Sequence, residues 1–313
     1  MWEDGITRDS IRMNSATDTL VTSFMLRPTD APEFNEAKQE LARDITGVER
    51  YSLDDANRLY RRVWGASFHF GRWEADIASI EDATQRCKER IGEALAIGPH
   101  DSVLEVGSGL GETARFLAET HGCRVTASNV SEKHMRECRA RTEQANLSFC
   151  IDSALADYHA LPFDDTRYDA YVMQEALVHA TEKHRVMEEA HRVLKPGRRM
   201  VFTDQTTNVE KLGAADRDRI IERHGSPDLF DAAAFERCAE NAEFQILEHE
   251  DWSPHMARHF AELVVRIEND YQSLAVEIDP TVIEWNLETW RFARDKAENG
   301  AMGWSFIVAQ KPA

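Results

Sequence analysis

The residues with the clearest chemical meaning lie in a glycine-rich turn that follows an apolar run. The run Val103–Val106 leads into Gly107-Ser108-Gly109-Leu110-Gly111, and a helical pattern begins directly after it. Glycines at this spacing let the backbone approach a ligand closely, and Gly111 allows close packing of the helix. The turn lacks the Gly-Lys-Ser/Thr of a phosphate-binding loop. A carboxylate at the strand end, Glu105, repels pyrophosphate and favours an ammonium group, so the pattern predicts a ligand with an amino-acid moiety, such as S-adenosylmethionine.

Later residues extend this predicted cofactor site. Asn129 ends the second predicted strand about 24 residues after Glu105, where a ribose-binding side chain lies in such sheets, although Asp or Glu is usual there. Asp157 and Tyr158 are expected to hold the adenine by a hydrogen bond and a ring contact, with core packing as the alternative for Tyr158. Gln174 is assigned to the amino-acid end of the cofactor. The predicted cofactor-binding residues within this stretch are Glu105, Gly107, Ser108, Gly109, Gly111, Asn129, Val130, His134, Asp157, Tyr158 and Gln174.

Two residues after the fourth predicted strand are candidates for proton transfer. Glu175 lies at the carboxyl end of that strand, where doubly wound sheets bind ligands, and can accept a proton or pair with a cationic centre. The alternative is an acidic residue in the first turn of the next helix, where acids are favoured anyway. His179 lies four residues later and is predicted to share a helix face with Glu175. A structural histidine is the alternative reading of His179.

An aromatic stretch and a basic helix supply candidates for substrate binding. Trp64, His69, Phe70 and Trp73 fall within ten residues and are predicted to form a pocket wall, because aromatic faces attract methylated ammonium ions. The alternative is a packed aromatic corner. A substrate carboxylate needs a basic partner, for which the candidates are Arg219, Arg223 and His224, unless these form a solvated helix face. Trp252 is predicted to close the pocket.

The elements that position these residues alternate in type. Predicted strands lie at 102–106, 124–128, 148–151, 168–173 and 200–203, with helices between them. This alternation predicts an α/β fold with a doubly wound, mostly parallel sheet. Two further strands, 244–248 and 302–309, bring the sheet to seven strands. We expect residues 1–35 to form a mobile tail or lid, and an N-terminal helical lid to precede the sheet. Residues 36–313 are expected to form the main domain, with substrate-capping helices at about 206–242 and 255–297.

Composition excludes several classes of function. The 313 residues include 56 acidic and 37 basic residues, for a net charge of −19. Proteins that bind nucleic acids or anionic membranes rely on clustered Lys and Arg, so we expect neither as a partner. No apolar stretch is long enough for a membrane span, and the N-terminus lacks a signal-peptide pattern. Five cysteines without a Cys-x-x-Cys pair predict buried thiols, no metal site and a cytoplasmic protein.

Three stretches together resemble class I S-adenosylmethionine-dependent methyltransferases. They are 103–112, Leu161-Pro162-Phe163 before Tyr168-Asp169-Ala170, and 192–197 before Phe202-Thr203-Asp204. The resemblance covers about residues 100–205 and implies a methyltransferase sheet. It also implies that the glycine turn receives the methionine and ribose parts of the cofactor, that Asn129 meets the ribose or adenine edge, that Asp157 meets the adenine amino group, and that Tyr51 contacts the cofactor carboxylate.

A narrower resemblance reaches beyond that core. The stretches 59–73, 174–179, 219–226 and the insert before Met302-Gly303-Trp304 are similar to sarcosine/dimethylglycine N-methyltransferases, which make glycine betaine. The sequence departs from that family at Glu175, Arg198 and Gln205, where the family usually has Asp, Gly and Pro. These departures bear on the identity of the substrate.

The sequence therefore predicts methyl transfer from S-adenosylmethionine to a small-molecule acceptor, with the amine of a small amino acid as the first choice. The alternatives are an S- or C-methyltransferase of a thioether or an isoprenoid, and a non-catalytic cofactor-binding protein. A diphosphate substrate needs several Lys or Arg residues near the pocket, and the sequence shows no such cluster. Whether the protein forms a homodimer is left open.

The acidic composition generates a prediction about salt. A surface with net charge −19 suits a salty cytoplasm, and we expect methyl transfer to persist at molar sodium chloride. The measurement is initial rate against salt concentration. A sharp loss of activity at molar salt would instead assign the charge to ordinary solubility.

Overall fold

The computed structural model describes residues 54–313. The expected tail or lid at residues 1–35 and the cofactor contact predicted for Tyr51 therefore lie outside the described residues. Within the described range, no helix combines the length and the apolar character needed to cross a membrane.

Seven strands form one mixed sheet in the order β3-β2-β1-β4-β5-β7-β6. Neighbours from β3 to β5 run parallel, whereas β7 is antiparallel to both β5 and β6. The strands are β1 Ser102–Val106, β2 Arg124–Asn129, β3 Ile151–Leu155, β4 Tyr168–Gln174, β5 Leu194–Thr207, β6 Gln245–Asp251 and β7 Met302–Gln310. This is the expected doubly wound, mostly parallel seven-stranded methyltransferase sheet.

Helices cover both faces of the sheet. In chain order they are α1 Asp54–Val63, α2 Ile80–Leu95, α3 Glu112–His121, α4 Glu132–Gln144, α5 Lys183–Val193, α6 Ala214–His224, α7 Ala232–Asn241, α8 Ser253–Leu274 and α9 Pro280–Glu298, with single 3₁₀ turns at Leu177–His179 and Val209–Lys211. The expected helical insert between the last two strands is the α8–α9 pair.

Alternation along the strands divides the core into two layers. On β4, Ala170 and Val172 join the layer that contains α2, α8 and α9, whereas Tyr171 and Met173 join the layer under α5 and α7. Successive side chains of a strand point to opposite faces, so a strand covered on both faces is apolar throughout. All seven residues of β4 are buried, and β4 is therefore a rigid support for whatever follows it.

The strand order fixes where a ligand can enter. The chain runs outward from β1 through β2 to β3, and then returns to the other side of β1 with β4. Between β1 and β4 the connecting turns diverge, which leaves a crevice at the carboxyl ends of these strands. The glycine turn after β1 and residues Gln174 and Glu175 at the end of β4 both lie at this crevice.

The structure differs from the sequence prediction in three places. Residues 148–150, part of the third strand predicted at 148–151, form a turn in which the amides of Cys150 and Ile151 both donate to the carbonyl of Leu147 at 3.0 Å. The fifth strand is 14 residues long, because its extension pairs with β7. The helical insert predicted over about 255–297 begins earlier, at Ser253, and its two helices are separated by residues 275–279, with Pro280 beginning the second.

Candidate active site

A cavity of about 370 Å³ lies at the carboxyl ends of β1, β2 and β4, within the size range of small-molecule sites. Its lining combines the glycine turn, the end of β4, the aromatic stretch after α1, and α6, α8 and α9. The predicted site residues that line it are Gly107, Ser108, Gly109, Asn129, Val130, His134, Asp157, Tyr158, Gln174, Glu175, His179, Trp64, His69, Phe70, Arg219, Arg223 and His224.

The three glycines of the turn all have positive φ angles, and each meets a different environment. A Cβ at Gly107 would lie 2.6 Å from Cβ of Ala176, and one at Gly111 would lie 2.5 Å from Sγ of Cys138. Those two glycines are needed for packing within the protein. Gly109 has φ +51° and no atom within 4 Å of the position of a Cβ. The backbone at Gly109 is therefore bare toward the cavity.

Glu105 lies below this turn rather than in the cavity lining, with 1% of its surface exposed. Burial, partly offset by the charges of His69 and Arg115, raises the pKa of its carboxyl group to about 7. Its Oε2 has no hydrogen-bond partner among the described residues. A buried carboxylate oxygen without a donor is costly, which suits a site completed by a cationic ligand.

The side chains that follow β2 border the cavity from another side. Oδ1 of Asn129 accepts a hydrogen bond of 2.9 Å from the amide of Ser131, which fixes the turn into α4. Val130 is half exposed, at 49%. His134 is buried, and within the described part of the chain neither of its ring nitrogens has a hydrogen-bond partner. Burial lowers the pKa of His134, so the ring is neutral and can both donate and accept.

Asp157 and Tyr158 complete this side of the cavity. Oδ1 of Asp157 accepts hydrogen bonds from the amide and from Nδ1 of His159, at 2.9 and 2.8 Å. The hydroxyl of Tyr158 donates to the carbonyl of Ala176 at 3.2 Å, which ties this loop to the end of β4. Gln174, the last residue of β4, is buried, and its Oε1 accepts a 2.6 Å hydrogen bond from the hydroxyl of Thr113 on α3.

Glu175 is held by three side-chain donors from separate parts of the chain. Its Oε2 accepts from Nδ1 of His69 at 2.8 Å, while its Oε1 accepts from the hydroxyl of Thr203 at 2.6 Å and from Nε1 of Trp304 at 2.9 Å. The backbone of Glu175 has φ +44°, an uncommon value for a residue with a side chain. Such strain persists where the surrounding structure fixes it, and it clusters at functional sites.

His69 lines the cavity next to Glu175. Burial lowers the pKa of its imidazole, but the hydrogen bond and the charge of Glu175 outweigh burial, and the pKa is raised above its usual 6.5. Because Nδ1 is bonded to the carboxylate, Nε2 is the ring nitrogen that a bound molecule can meet. The backbone carbonyl of His69 accepts a 2.9 Å hydrogen bond from Nε1 of Trp64, which fixes the loop from within.

His179 also reaches the cavity, but not through the helical spacing that the sequence predicted. Residues 177–179 form a 3₁₀ turn after the strained Glu175, and α5 begins only at Lys183. Nδ1 of His179 donates to the backbone carbonyl of His224 at 2.7 Å. Burial lowers the pKa of His179 to about 4 and also lowers that of His224, so both rings are neutral near pH 7.

Asp204, which follows Thr203 on β5 where that strand pairs with the end of β4, is a further buried acid that the sequence did not predict as a site residue. Its carboxylate accepts hydrogen bonds from the amides of Val178 and Gln205, at 3.0 and 2.8 Å. Burial first, and then the charge of Glu175, raise its pKa to about 7. The bond to Val178 fixes the 3₁₀ turn that carries His179. In the sequence, Asp204 was noted only as part of the Phe202-Thr203-Asp204 stretch at the end of an apolar strand.

Two arginines of α6 line the cavity. Arg219 pairs with Glu288 at 3.1 Å and lies over the ring of Phe292. Nη2 of Arg223 donates to the hydroxyl of Tyr60 at 2.7 Å, and its guanidinium lies over Trp285. Both guanidinium groups are thus held against aromatic rings at the border of the cavity. Further lining residues that the sequence reading missed come from distant elements: Tyr60, Phe260, Trp290, Phe292 and Met302.

Two predicted pocket residues lie elsewhere. Trp73 is absent from the lining, and its ring packs beneath the guanidinium of Arg258 and against His259. Trp252 does not close the cavity, because its ring stacks on Phe306 with centroids 4.5 Å apart and its Nε1 donates to Glu250 at 2.7 Å. Both predictions were therefore wrong in placement: these rings fill the core between the sheet and α8.

A family model described as a methyltransferase domain matches residues 104–202, which include the glycine turn and the end of β4. Residues 104–202 therefore form a methyltransferase domain similar to those of S-adenosylmethionine-dependent methyltransferases. The protein is therefore an enzyme, its cofactor is S-adenosylmethionine, and its substrate is a small molecule. The bare backbone at Gly109, the unpaired oxygen of Glu105 and the unpaired ring of His134, all within the described residues, fit a ligand with ammonium and ribose groups.

Among the relatives, a glycine/sarcosine/dimethylglycine N-methyltransferase from Actinopolyspora halophila is 29% identical over 274 residues, which are 85% of this chain and 47% of that protein. A sarcosine/dimethylglycine N-methyltransferase from Halorhodospira halochloris is 29% identical over 85% of this chain and 96% of its own length. The chain thus spans about half of the first relative and nearly all of the second.

The fold has a solved counterpart. A protein from Galdieria sulphuraria described as a sarcosine dimethylglycine methyltransferase has a TM-score of 0.76 to this chain, with 22% identity, and the match covers 84% of this chain and 98% of that one. At this identity the likeness concerns the fold alone.

The bare backbone of Gly109 generates a prediction. Gly109→Asp places a negatively charged side chain in the cavity at a positive φ, and we expect calorimetry to show at least a roughly 100-fold loss of S-adenosylmethionine affinity. Gly197→Asp is the matched control, because Gly197 also has positive φ (+74°) and open space but lies outside the cavity lining. Equal affinities of the two variants would contradict a cofactor position at Gly109.

Proposed function

We propose that this enzyme transfers the methyl group of S-adenosylmethionine to the amine of a small amino acid of the sarcosine or dimethylglycine type. The observation that carries the proposal is the His69–Glu175 pair, which stands in the cavity beside the glycine turn. Amine substrates need such a group, because a protonated amine has no lone pair with which to attack a methyl group. The named activities of the two bacterial relatives support the same substrate class.

The cofactor supplies an electrophilic methyl group on a sulfonium centre. In the proposal, the bare backbone at Gly109 with Ser108 and Gly107 faces its amino-acid part, and Glu105 and Gln174 favour its ammonium group. Asn129, Val130 and His134 border the ribose, and Asp157 and Tyr158 border the adenine. Gly111 acts indirectly, since it lets α3 pack against Cys138.

His69 is the proposed proton acceptor. The carboxylate of Glu175 holds the proton of His69 on Nδ1, which leaves the lone pair of Nε2 directed away from the carboxylate. Nε2 then takes the proton of the substrate ammonium, and the imidazolium is stabilised by Glu175. Glu175 thereby acts through His69, since its oxygens are occupied by His69, Thr203 and Trp304. His179, with its low pKa and its bond to a carbonyl, positions α6 in this scheme.

The acceptor is recognised by rings and by guanidinium groups. Trp64 and Phe70 line the cavity on the side of His69, and aromatic faces attract alkylated ammonium groups by about 0.5–2 kcal/mol each. Arg219 and Arg223 on α6 are the proposed partners of the substrate carboxylate. His224 supports that end by accepting the hydrogen bond of His179 at its carbonyl.

The proposal extends to the domain arrangement. The segments at about 206–242 and 255–297, which contain α6 to α9, act as caps that exclude water, since their residues line the cavity. Residues 36–313 form the catalytic domain and residues 1–35 a tail or lid. We place the enzyme in the cytoplasm, with no nucleic-acid or membrane partner, and as a monomer or a homodimer.

A substrate panel tests the proposed activity. With methyl-labelled S-adenosylmethionine, we expect label in sarcosine and dimethylglycine, and none in methionine or geranyl diphosphate. The measurement is labelled product separated by chromatography. Label in methionine, an isoprenoid or a hydroxyl acceptor but in no amine would contradict the amine proposal while leaving the methyltransferase assignment intact.

The role of His69 has its own test. His69→Asn keeps a donor to Glu175 but removes the proton acceptor, so we expect kcat to fall about 100-fold or more with cofactor affinity unchanged. In the wild type, kcat is expected to fall as the pH drops below the raised pKa of His69. The acid limb of the pH profile therefore lies above pH 6.5. Glu175→Gln removes the charge that raises this pKa, and we expect a lower kcat and an acid limb at lower pH.

His249→Asn is the matched control for this series. His249 bonds to Glu236 at 2.7 Å through the same pair of groups, but on β6 and away from the cavity. The His249→Asn variant should have the kcat of the wild type and an acid limb at the same pH. Full activity of His69→Asn would remove His69 from the mechanism.

A further inference from the structure

We propose that His259 and His255, two histidines of α8 outside the cavity lining, are positioning residues for His69. Each accepts a backbone hydrogen bond from the strap, which we define as residues 64–73 between α1 and α2. The inference rests on the proposed role of His69 as proton acceptor. It assigns to α8 the task of holding that imidazole against Glu175.

The strap has little regular secondary structure, and hydrogen bonds to α8 and α2 hold its backbone in place. The amide of Gly71 donates to Nδ1 of His259 at 3.0 Å, and the amide of Trp73 donates to Nδ1 of His255 at 3.1 Å. Between them, the amide of Arg72 donates to the carbonyl of Ala83 on α2 at 2.9 Å. Three successive amides, beginning two residues after His69, are therefore fixed by two helices.

These bonds define the protonation state of both histidines. An amide can donate only to a ring nitrogen with a lone pair, so Nδ1 of each ring is unprotonated and the rings are neutral with hydrogen on Nε2. Burial, assisted by the charge of Arg266, lowers the pKa of His259 to about 3. Burial and the charge of Arg72 lower the pKa of His255. Neutral rings are what the two bonds require.

The connection from His259 to His69 is short and closely packed. Gly71 touches α2 so closely that an added Cβ would lie 2.4 Å from Cβ of Ala83, so the strap cannot move toward α2. On its other side, the ring of His259 packs against Trp64 and Phe70, with centroids 5.0 and 5.5 Å apart. A change at Nδ1 of His259 therefore shifts Gly71 and, through two residues of backbone, the imidazole of His69.

The charged groups around these histidines are few. Arg266 and Glu81 face His259 from α8 and α2. Arg72 of the strap, Glu74 directly after it and Glu250 of β6 face His255. Glu175, Glu105 and Lys88 face His69 from the sheet and α2. None of the groups around His259 is shared with His69. A substitution at His259 thus reaches the titration of His69 through geometry rather than through a shared charge.

The test removes the acceptor atom Nδ1 of His259 while keeping a side chain of similar volume. His259→Phe retains an aromatic ring but offers the Gly71 amide no acceptor, and His259→Asn restores an oxygen near the position of Nδ1. For His259→Phe we expect kcat to fall roughly 10- to 100-fold, with S-adenosylmethionine affinity unchanged. We also expect the acid limb of the kcat profile to move to lower pH, because the bond from His69 to Glu175 is weakened. His259→Asn should recover both.

Met256→Ala is the matched control for loss of stability. Met256 lies on the same helix and is fully buried, and among the described residues its side chain accepts no hydrogen bond from the strap. Its variant therefore lowers the melting temperature without changing Nδ1 of His259 or of His255. Its acid limb should stay at the wild-type pH. An unchanged acid limb in His259→Phe, or a loss of kcat in Met256→Ala as large as that in His259→Phe, would overturn the positioning role.

The outcomes separate this inference from the proposed function. If His69→Asn is inactive while His259→Phe keeps wild-type kcat and acid limb, the proton acceptor stands and the role of α8 fails. If His69→Asn is fully active, the proton acceptor itself fails. Parallel effects in His69→Asn and His259→Phe, with rescue by His259→Asn, support both.

Discussion

The carboxylate of Glu175 must be paired, and its three side-chain donors join parts of the chain that are far apart in sequence. A buried carboxylate without partners is costly, and the side chains of His69, Thr203 and Trp304 each donate a hydrogen bond to it. The positive φ of Glu175 turns its side chain back toward β5. The end of β4, the strap, β5 and β7 are thereby linked at one point on the cavity wall.

The antiparallel pairing of β7 with β5 brings Trp304 within hydrogen-bonding distance of Glu175. β7 pairs with β5 so that Trp304 lies opposite Gln205 and Phe306 lies opposite Thr203. Trp304 can then reach the same oxygen of Glu175 that Thr203 reaches from within β5. A short hairpin could join the antiparallel neighbours β6 and β7, but the connection instead contains α8 and α9, which supply Phe260 and Trp290 to the cavity and His259 to the strap. The long connection therefore serves the cavity rather than the pairing of the strands.

The sequence predicted the parts of the site that depend on local pattern. The glycine turn and the residues at the ends of β2 and β4 follow from strand periodicity and from the geometry of parallel sheets, and the structure places them around one cavity. Contacts made across the fold left no such pattern. Trp304 and Trp252 are both tryptophans near the insert, and only the register of β7 decides that the first reaches Glu175 and the second stacks on Phe306. In the sequence, His259 looks like an ordinary polar residue of a helix, and only the structure shows that the amide of Gly71 donates to its Nδ1.

The distribution of charge within the cavity bears on the proposed substrate. On the sheet side, burial and the charge of Glu175 raise the pKa of Asp204 to about 7, so this side holds an acidic group whose ionised form is favoured by an incoming cation. The cations at the border come instead from α6, as Arg219 and Arg223, which are held against rings. A zwitterionic amino acid meets both requirements, because its ammonium neutralises the sheet side and its carboxylate pairs with α6. A neutral apolar acceptor carries neither charge and would therefore interact favourably with neither side.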